Sequence, residues 1–167
     1  MLKRTVIFLL CALPMFAMAQ DKFGHINTEE VLMAMPEIAG VQQSLSDLTA
    51  EYENMLLQMR EEYFTKIRDF QEGQATMPGS IREMRQSEIV DLEQRIHAFT
   101  QTAQEDLRRK QMELMAPVVE RLRNAIEAVG TENGFTYIFD LVTESIVFQS
   151  PTANNVTPLV KAKLGIR

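Results

Sequence analysis

Two stretches of apolar residues, each spaced for one side of a long helix and separated by one short break, limit what this chain can fold into. In the first, Val41, Leu45, Leu48, Tyr52, Met55 and Met59 follow at steps of 4, 3, 4, 3 and 4, the spacing of a coiled-coil seam. Tyr63, Ile67 and Phe70 continue it at steps of four, four and three, a longer period that relaxes the supercoil. In the second, Ile89, Leu92, Ile96, Phe99, Ala103 and Leu107 recur at helical spacing, followed by Met115, Val118, Leu122, Ile126 and Val129. At about 1.5 Å per residue the helices reach roughly 55 and 70 Å, too long for either to bury its stripe in one compact domain. They must pack on each other. The break between them, "FQEGQATMPGSI" from Phe70 to Ile81, then becomes the far end of a hairpin. Ser80-Ile81-Arg82-Glu83 has the form of a capping box and predicts that the second helix opens there. Pro117 is expected to kink or divide that helix.

Short elements flank the hairpin. Phe23 to Asn27 reads as a strand, and Asn27 opens N-T-E-E, a side-chain cap with Glu30 placed to reciprocate. Val31, Leu32 and Met35 form the apolar side of a short helix that Pro36 interrupts. After the second long helix, Asn133-Gly134 is a stop signal. Phe135, Tyr137 and Phe139 then alternate as in a strand, and Ser145 to Ser150 ("SIVFQS") gives another. Leu141 to Glu144 fits a hairpin between them, Pro151 to Asn155 reads as loop, and Thr157-Pro158 starts a last helix through Leu164. The fold class is α+β, a long antiparallel helical hairpin on a small β-body. So few short strands are marginal alone, which points to association.

The first nineteen residues have a different purpose. Lys3 and Arg4, the apolar run Val6 to Phe16, and Ala17-Met18-Ala19 make a signal peptide with cleavage after Ala19. Eleven apolar residues are too few to span a membrane, which takes about 20. The remaining chain has no cysteine, so its stability comes from packing or oligomerisation. Without Lys3 and Arg4 it holds 15 basic against 23 acidic residues, a net charge of −8. That balance argues against nucleic acid as a partner.

Chemistry is sparse. His25 and His97 have no acids at ligand spacing, so no metal is expected. Neither a nucleophile elbow nor a glycine-rich phosphate loop occurs, and no catalytic residue, cofactor or small-molecule substrate is assigned. Eight methionines fall in 20–167: Met33, Met35, Met55, Met59, Met77, Met84, Met112 and Met115. They suit either the helix seam or an adaptable binding surface.

"KFGHINTEEVLMAMPE", "APVVERLRNAIEAVG" and "ENGFTYIFD" resemble the opening strand and helix, the returning helix and the returning strand of the Skp/OmpH family of periplasmic chaperones. The resemblance covers essentially the whole chain after the signal peptide. It implies a homotrimer whose strands form the β-body, with arms enclosing a cavity that holds unfolded outer-membrane proteins without ATP in the periplasm. On that pattern residues 1–19 are the signal peptide, 20–36 and 133–167 the body, and 37–132 the arm with its tip at 71–80. Phe23, Ile26, Phe135, Tyr137, Phe139, Ile146 and Phe148 are candidates for the body and trimer contact. Met55, Met59, Tyr63, Ile67, Phe70, Met84, Ile89, Leu92 and Phe99 are candidates for the seam or the client-facing surface. One departure is electrostatic. Where members carry basic arm ends, residues 60–95 here hold six Lys/Arg against eight acids, so charge lends no support to membrane contact. The alternative is an exported coiled-coil adaptor or spacer that binds a folded envelope partner.

Overall fold

A computed structural model describes residues 21–143 and 145–166; the predicted signal peptide, residues 1–19, lies outside them. The chain runs β1 (Phe23–Ile26), α1 (Thr28–Ala34), α2 (Glu37–Gly73), α3 (Gly79–Glu132), β2 (Tyr137–Asp140), one 3₁₀ turn (Leu141–Thr143), β3 (Asn154–Asn155) and α4 (Thr157–Leu164). The sheet has the order β2-β1-β3, and both pairings are parallel. One chain therefore assembles a three-stranded sheet by itself. Among the described residues no helix is long and apolar enough to cross a membrane.

At the N-terminal end the Asn27 side chain accepts from the Glu30 N–H at 2.9 Å. Glu30 does not reciprocate. The Asn27 N–H donates instead to Thr157 Oγ1 at 3.1 Å, and the Glu30 carboxylate pairs with Lys161 at 2.7 Å. Thr28 donates through its N–H and hydroxyl to the two oxygens of Asp140, at 3.3 and 2.6 Å. The start of α1 is thus fastened to the end of β2 and to α4, both far away in sequence.

The two long helices span about 55 and 80 Å for their 37 and 54 residues. The turn between them is tighter than the sequence pattern implies: Thr76 and Met77 donate to the Gly73 carbonyl at 3.0 and 3.2 Å. The box at Ser80 does not form. Pro78 is the cap, with extended backbone (ψ 148) and no side-chain bond, and its carbonyl already accepts from the Arg82 N–H at 3.0 Å. Ser80 consequently lies inside the first turn and not at its cap. Pro117 does not divide α3. The cost of its missing N–H is met by packing on both sides, where Leu114, Met115 and Val118 join the core.

The second predicted strand is also absent. Asp140 accepts from the Val142 N–H at 3.1 Å and the Thr143 hydroxyl donates to the Asp140 carbonyl at 3.0 Å. These bonds turn the chain into the 3₁₀ turn and away from a hairpin. Residues 145–150 have no regular structure, and the third strand comes from Asn154–Asn155, within the stretch read as loop. Two smaller shifts accompany this. Phe135 precedes β2 instead of belonging to it, and α4 has Val156, not Thr157, at its cap.

The core sits where the arm meets the sheet. Ile26, Val31, Met35, Ile38, Val41, Val118, Leu122, Ala125, Val129, Val156, Val160 and Leu164 form one buried cluster. Strand alternation turns Gly24, Ile26 and Ile138 toward it. Gly24 is needed for closeness: a Cβ there would meet the Phe135 ring at 2.9 Å and Val156 at 3.0 Å. Gly24→Ala should force both to shift and lower stability by about 1–3 kcal/mol, measurable as an earlier midpoint in chemical denaturation.

Candidate functional site

Two surfaces remain uncovered in the single chain, one on the sheet and one along the arm. On the sheet, the parallel register pairs Phe23 with Tyr137 and His25 with Phe139. Alternation places these four side chains on the face away from the helices. Phe23, Tyr137 and Phe139 stack, with ring centroids 6.0, 6.2 and 6.1 Å apart, and Tyr137 keeps 60% of its surface in solvent. Three aromatic rings in one exposed patch carry a large apolar area for so small a sheet. Segment 145–150 borders it: Ile146 and Phe148 line a hollow of about 270 Å³ together with Phe23 and Phe139. Phe148 is 81% and Val147 99% exposed.

Of the seven body candidates, five gather here. The other two face the chain's own interior. Ile26 is buried in the core, and Phe135 packs against that core with the Lys22 ammonium 4.2 Å from its ring centroid.

Along the arm, burial is thin. Met59, Tyr63, Ile67, Phe70, Ile89 and Phe99 are half-buried. Leu92, with 1% exposed, is the most deeply buried of the arm candidates. Met55 and Met84 lie outside the seam and are exposed; the half-buried neighbour of Met55 is Leu56. Polar contacts join the helices at the base, where Arg121 pairs with Glu37, and at two levels farther out. Tyr52 meets Phe99 edge-on at 5.8 Å and donates its hydroxyl to Asp106 at 3.2 Å. Loss of solvent raises the Tyr52 phenol above its ordinary value, and the bond to Asp106 adds to this. Nearer the turn, Lys66 bonds to Glu88 at 3.3 Å, and Arg85 reaches the same carboxylate oxygen at 3.1 Å.

Large apolar side chains that fall off the coiled-coil period were missed by periodicity and are exposed. These are Leu57, Phe64, Val90 and Met112, with Phe64 at 65%. Leu57 and Phe64 are seven residues apart on α2, two turns along one flank. The only sequence signal was their size at positions where a solvated helix face carries charge. Among the described residues no group of three His, Cys, Asp or Glu side chains could hold a metal.

Known proteins share this arrangement. The family model described as "Outer membrane protein (OmpH-like)" matches residues 22–164. The chaperone protein Skp of Photorhabdus luminescens is 25% identical over 144 residues, covering 86% of each chain. That of Vibrio cholerae is 24% identical over 147 residues, covering 87% of this chain and 85% of its own. A crystal structure of a putative outer membrane chaperone (OmpH-like) from Caulobacter crescentus superposes with a TM-score of 0.74 at 14% identity. The match covers 87% of this chain and 85% of that one, and at that identity it establishes the shared fold.

The Lys66–Glu88–Arg85 cluster generates a prediction. Its hydrogen bond from Lys66, with the nearby charges, holds the Glu88 carboxyl below its ordinary value. The contribution is therefore present at neutral pH and lost as pH falls through that lowered value, when the folded carboxylate protonates. Protection of amides near residues 66 and 88, taken relative to the intrinsic exchange rate at each pH, should fall on acidification. Glu88→Gln should show the lower protection already at neutral pH and little further change.

Proposed function

The chain belongs to the OmpH-like outer membrane protein family, and from that membership and the open arm we propose that it is an ATP-independent holdase chaperone of the periplasm. The family is one of chaperones and not of enzymes. Its clients here are unfolded outer-membrane proteins, reached after export by the signal peptide. The reading includes a homotrimer in which the aromatic sheet faces meet, the arms project together, and a cavity between them holds the client.

The observation that carries this reading is the arm itself. A helical pair that leaves Leu57, Phe64, Val90 and Met112 in water is poorly explained as a stalk, which would expose charge. Such side chains suit many weak, sequence-tolerant contacts with an unfolded chain. Each contact contributes little, so the client can leave when its own folding in a membrane offers more burial. Charge has a smaller part: with six basic and eight acidic residues in 60–95, the outer arm offers no strong field to steer an anion.

Dilution of an unfolded outer-membrane β-barrel protein from denaturant tests the reading. The chain from residue 20 onward should suppress aggregation without nucleotide and run as a trimer by native mass. No suppression at a several-fold excess would remove the holdase and favour the structural spacer. Leu57→Ser with Phe64→Ser should weaken suppression several-fold while helix content, read by circular dichroism, is unchanged. Phe139→Asp should separate the subunits, because the charge would lie within a face that is apolar on every copy; an unchanged mass would exclude the aromatic face as the contact.

A further inference from the structure

Among the described residues only one ionisable residue is buried, His25 at 8% exposed, and it lies on the aromatic face of the sheet. It belongs to the central strand, with β2 on one side and β3 on the other, and its carbonyl accepts from the Val156 N–H at 2.9 Å. With the backbone held on both sides, the imidazole cannot swing clear without breaking the sheet. Its described surroundings carry no close charge. Its register partners are Phe139 on β2 and Asn155 on β3. The irregular segment adds Phe148, Gln149 and Ser150 around the hollow of about 270 Å³ that His25 lines. The other titratable groups of this face are the Tyr137 phenol and Asp21. Asp21 stands four residues back along the strand, about 13 Å away, and accepts from Thr136. Asp140 and Lys22 serve the helix side, where they hold Thr28 and cover the Phe135 ring.

We propose that His25 makes assembly of the subunits depend on pH: the neutral imidazole packs within the joined aromatic faces, and its protonation drives them apart. The inference rests on the homotrimer proposed above, in which those faces meet. An imidazole changes its charge within about pH 5–8. In the single chain the hollow beside His25 opens to solvent and has room for water, so an imidazolium there keeps part of its hydration. When the faces meet, the rings of another copy close that hollow. The cation then loses water without gaining a carboxylate, and the attraction of the ring faces is smaller than the hydration given up. Each of three copies brings the same charge to one shared core, so repulsion between like charges adds to the loss. The proton therefore binds more readily to separated subunits. Assembly is strongest above this pH range and weakens as pH falls through it.

Sedimentation of the chain from residue 20 onward, over a range of concentrations at about pH 7.5 and 5.5, tests this. The concentration of half-dissociation should rise about 10-fold or more on acidification, with helix content by circular dichroism unchanged. His25→Phe, a ring without a proton site, and His25→Gln, neutral and polar, should each assemble alike at both pH values. His97→Ala, on an exposed part of the arm, should keep the dependence. Equal dissociation of the unaltered chain at both pH values, or a dependence that survives in either His25 variant, would overturn the switch and leave the trimer standing. Failure of both His25 variants to assemble at pH 7.5 would overturn it too, by making the imidazole itself indispensable. An unaltered chain that is monomeric at every pH and concentration would overturn both the switch and the trimer.

Discussion

The parallel pairing of β1 with β2 is the constraint on which the rest depends. Antiparallel strands can be joined by a two-residue turn, whereas parallel neighbours need a crossover that carries the chain back to its starting end. In most folds one helix does this. Here the crossover is the whole arm, out along α2 and back along α3, and its return brings Tyr137 opposite Phe23. The arm is therefore not an appendage inserted beside a domain. Remove it and β1 loses its neighbour on one side; remove the sheet and the arm has nothing to stand on.

Burial grades along that crossover. Where arm and sheet meet, residues from β1, α1, α2, α3 and α4 share one cluster that includes Ile26, Val31, Val41, Leu122 and Val160. Farther out, Leu92 and Ala103 are the buried residues of α3, and the remaining seam is half open. Packing, not propensity, supplies most helical stability in proteins, so local opening should cost least at the turn and most at the base. Side chains such as Leu57 and Phe64, not committed to the interior, stay free to contact another chain.

Much of this was legible in the residues. The seam could be read because a helix pair imposes a period of three and four on its buried side. The cap at Asn27 could be read because its side-chain bond is local. What escaped depended on competition or on distance. The Ser80 box lost to Pro78, whose fixed φ and free carbonyl open the helix two residues sooner. Glu30 was drawn from its box by Lys161, and the Asn27 amide by Thr157, partners about 130 residues away. The strand pattern of Ser145–Ser150 was real as a pattern, but strands exist only in pairs, and the single chain turns at Asp140 before the pair can form. Leu57 and Phe64 escaped because a seam period of three and four does not reach them.

The fastening of both chain ends to β1 also sets an order in time. A polypeptide emerges from its N-terminus, so β1 appears early and must wait for both neighbours. Its partner at β2 lies beyond the whole arm, and Val156, which donates to the His25 carbonyl at 2.9 Å, lies 131 residues after it. The arm can zip from its turn as soon as α3 is made, through contacts close in sequence, whereas the sheet has the long contact order that slows folding. The arm is thus formed first, and the aromatic face of the sheet is completed last.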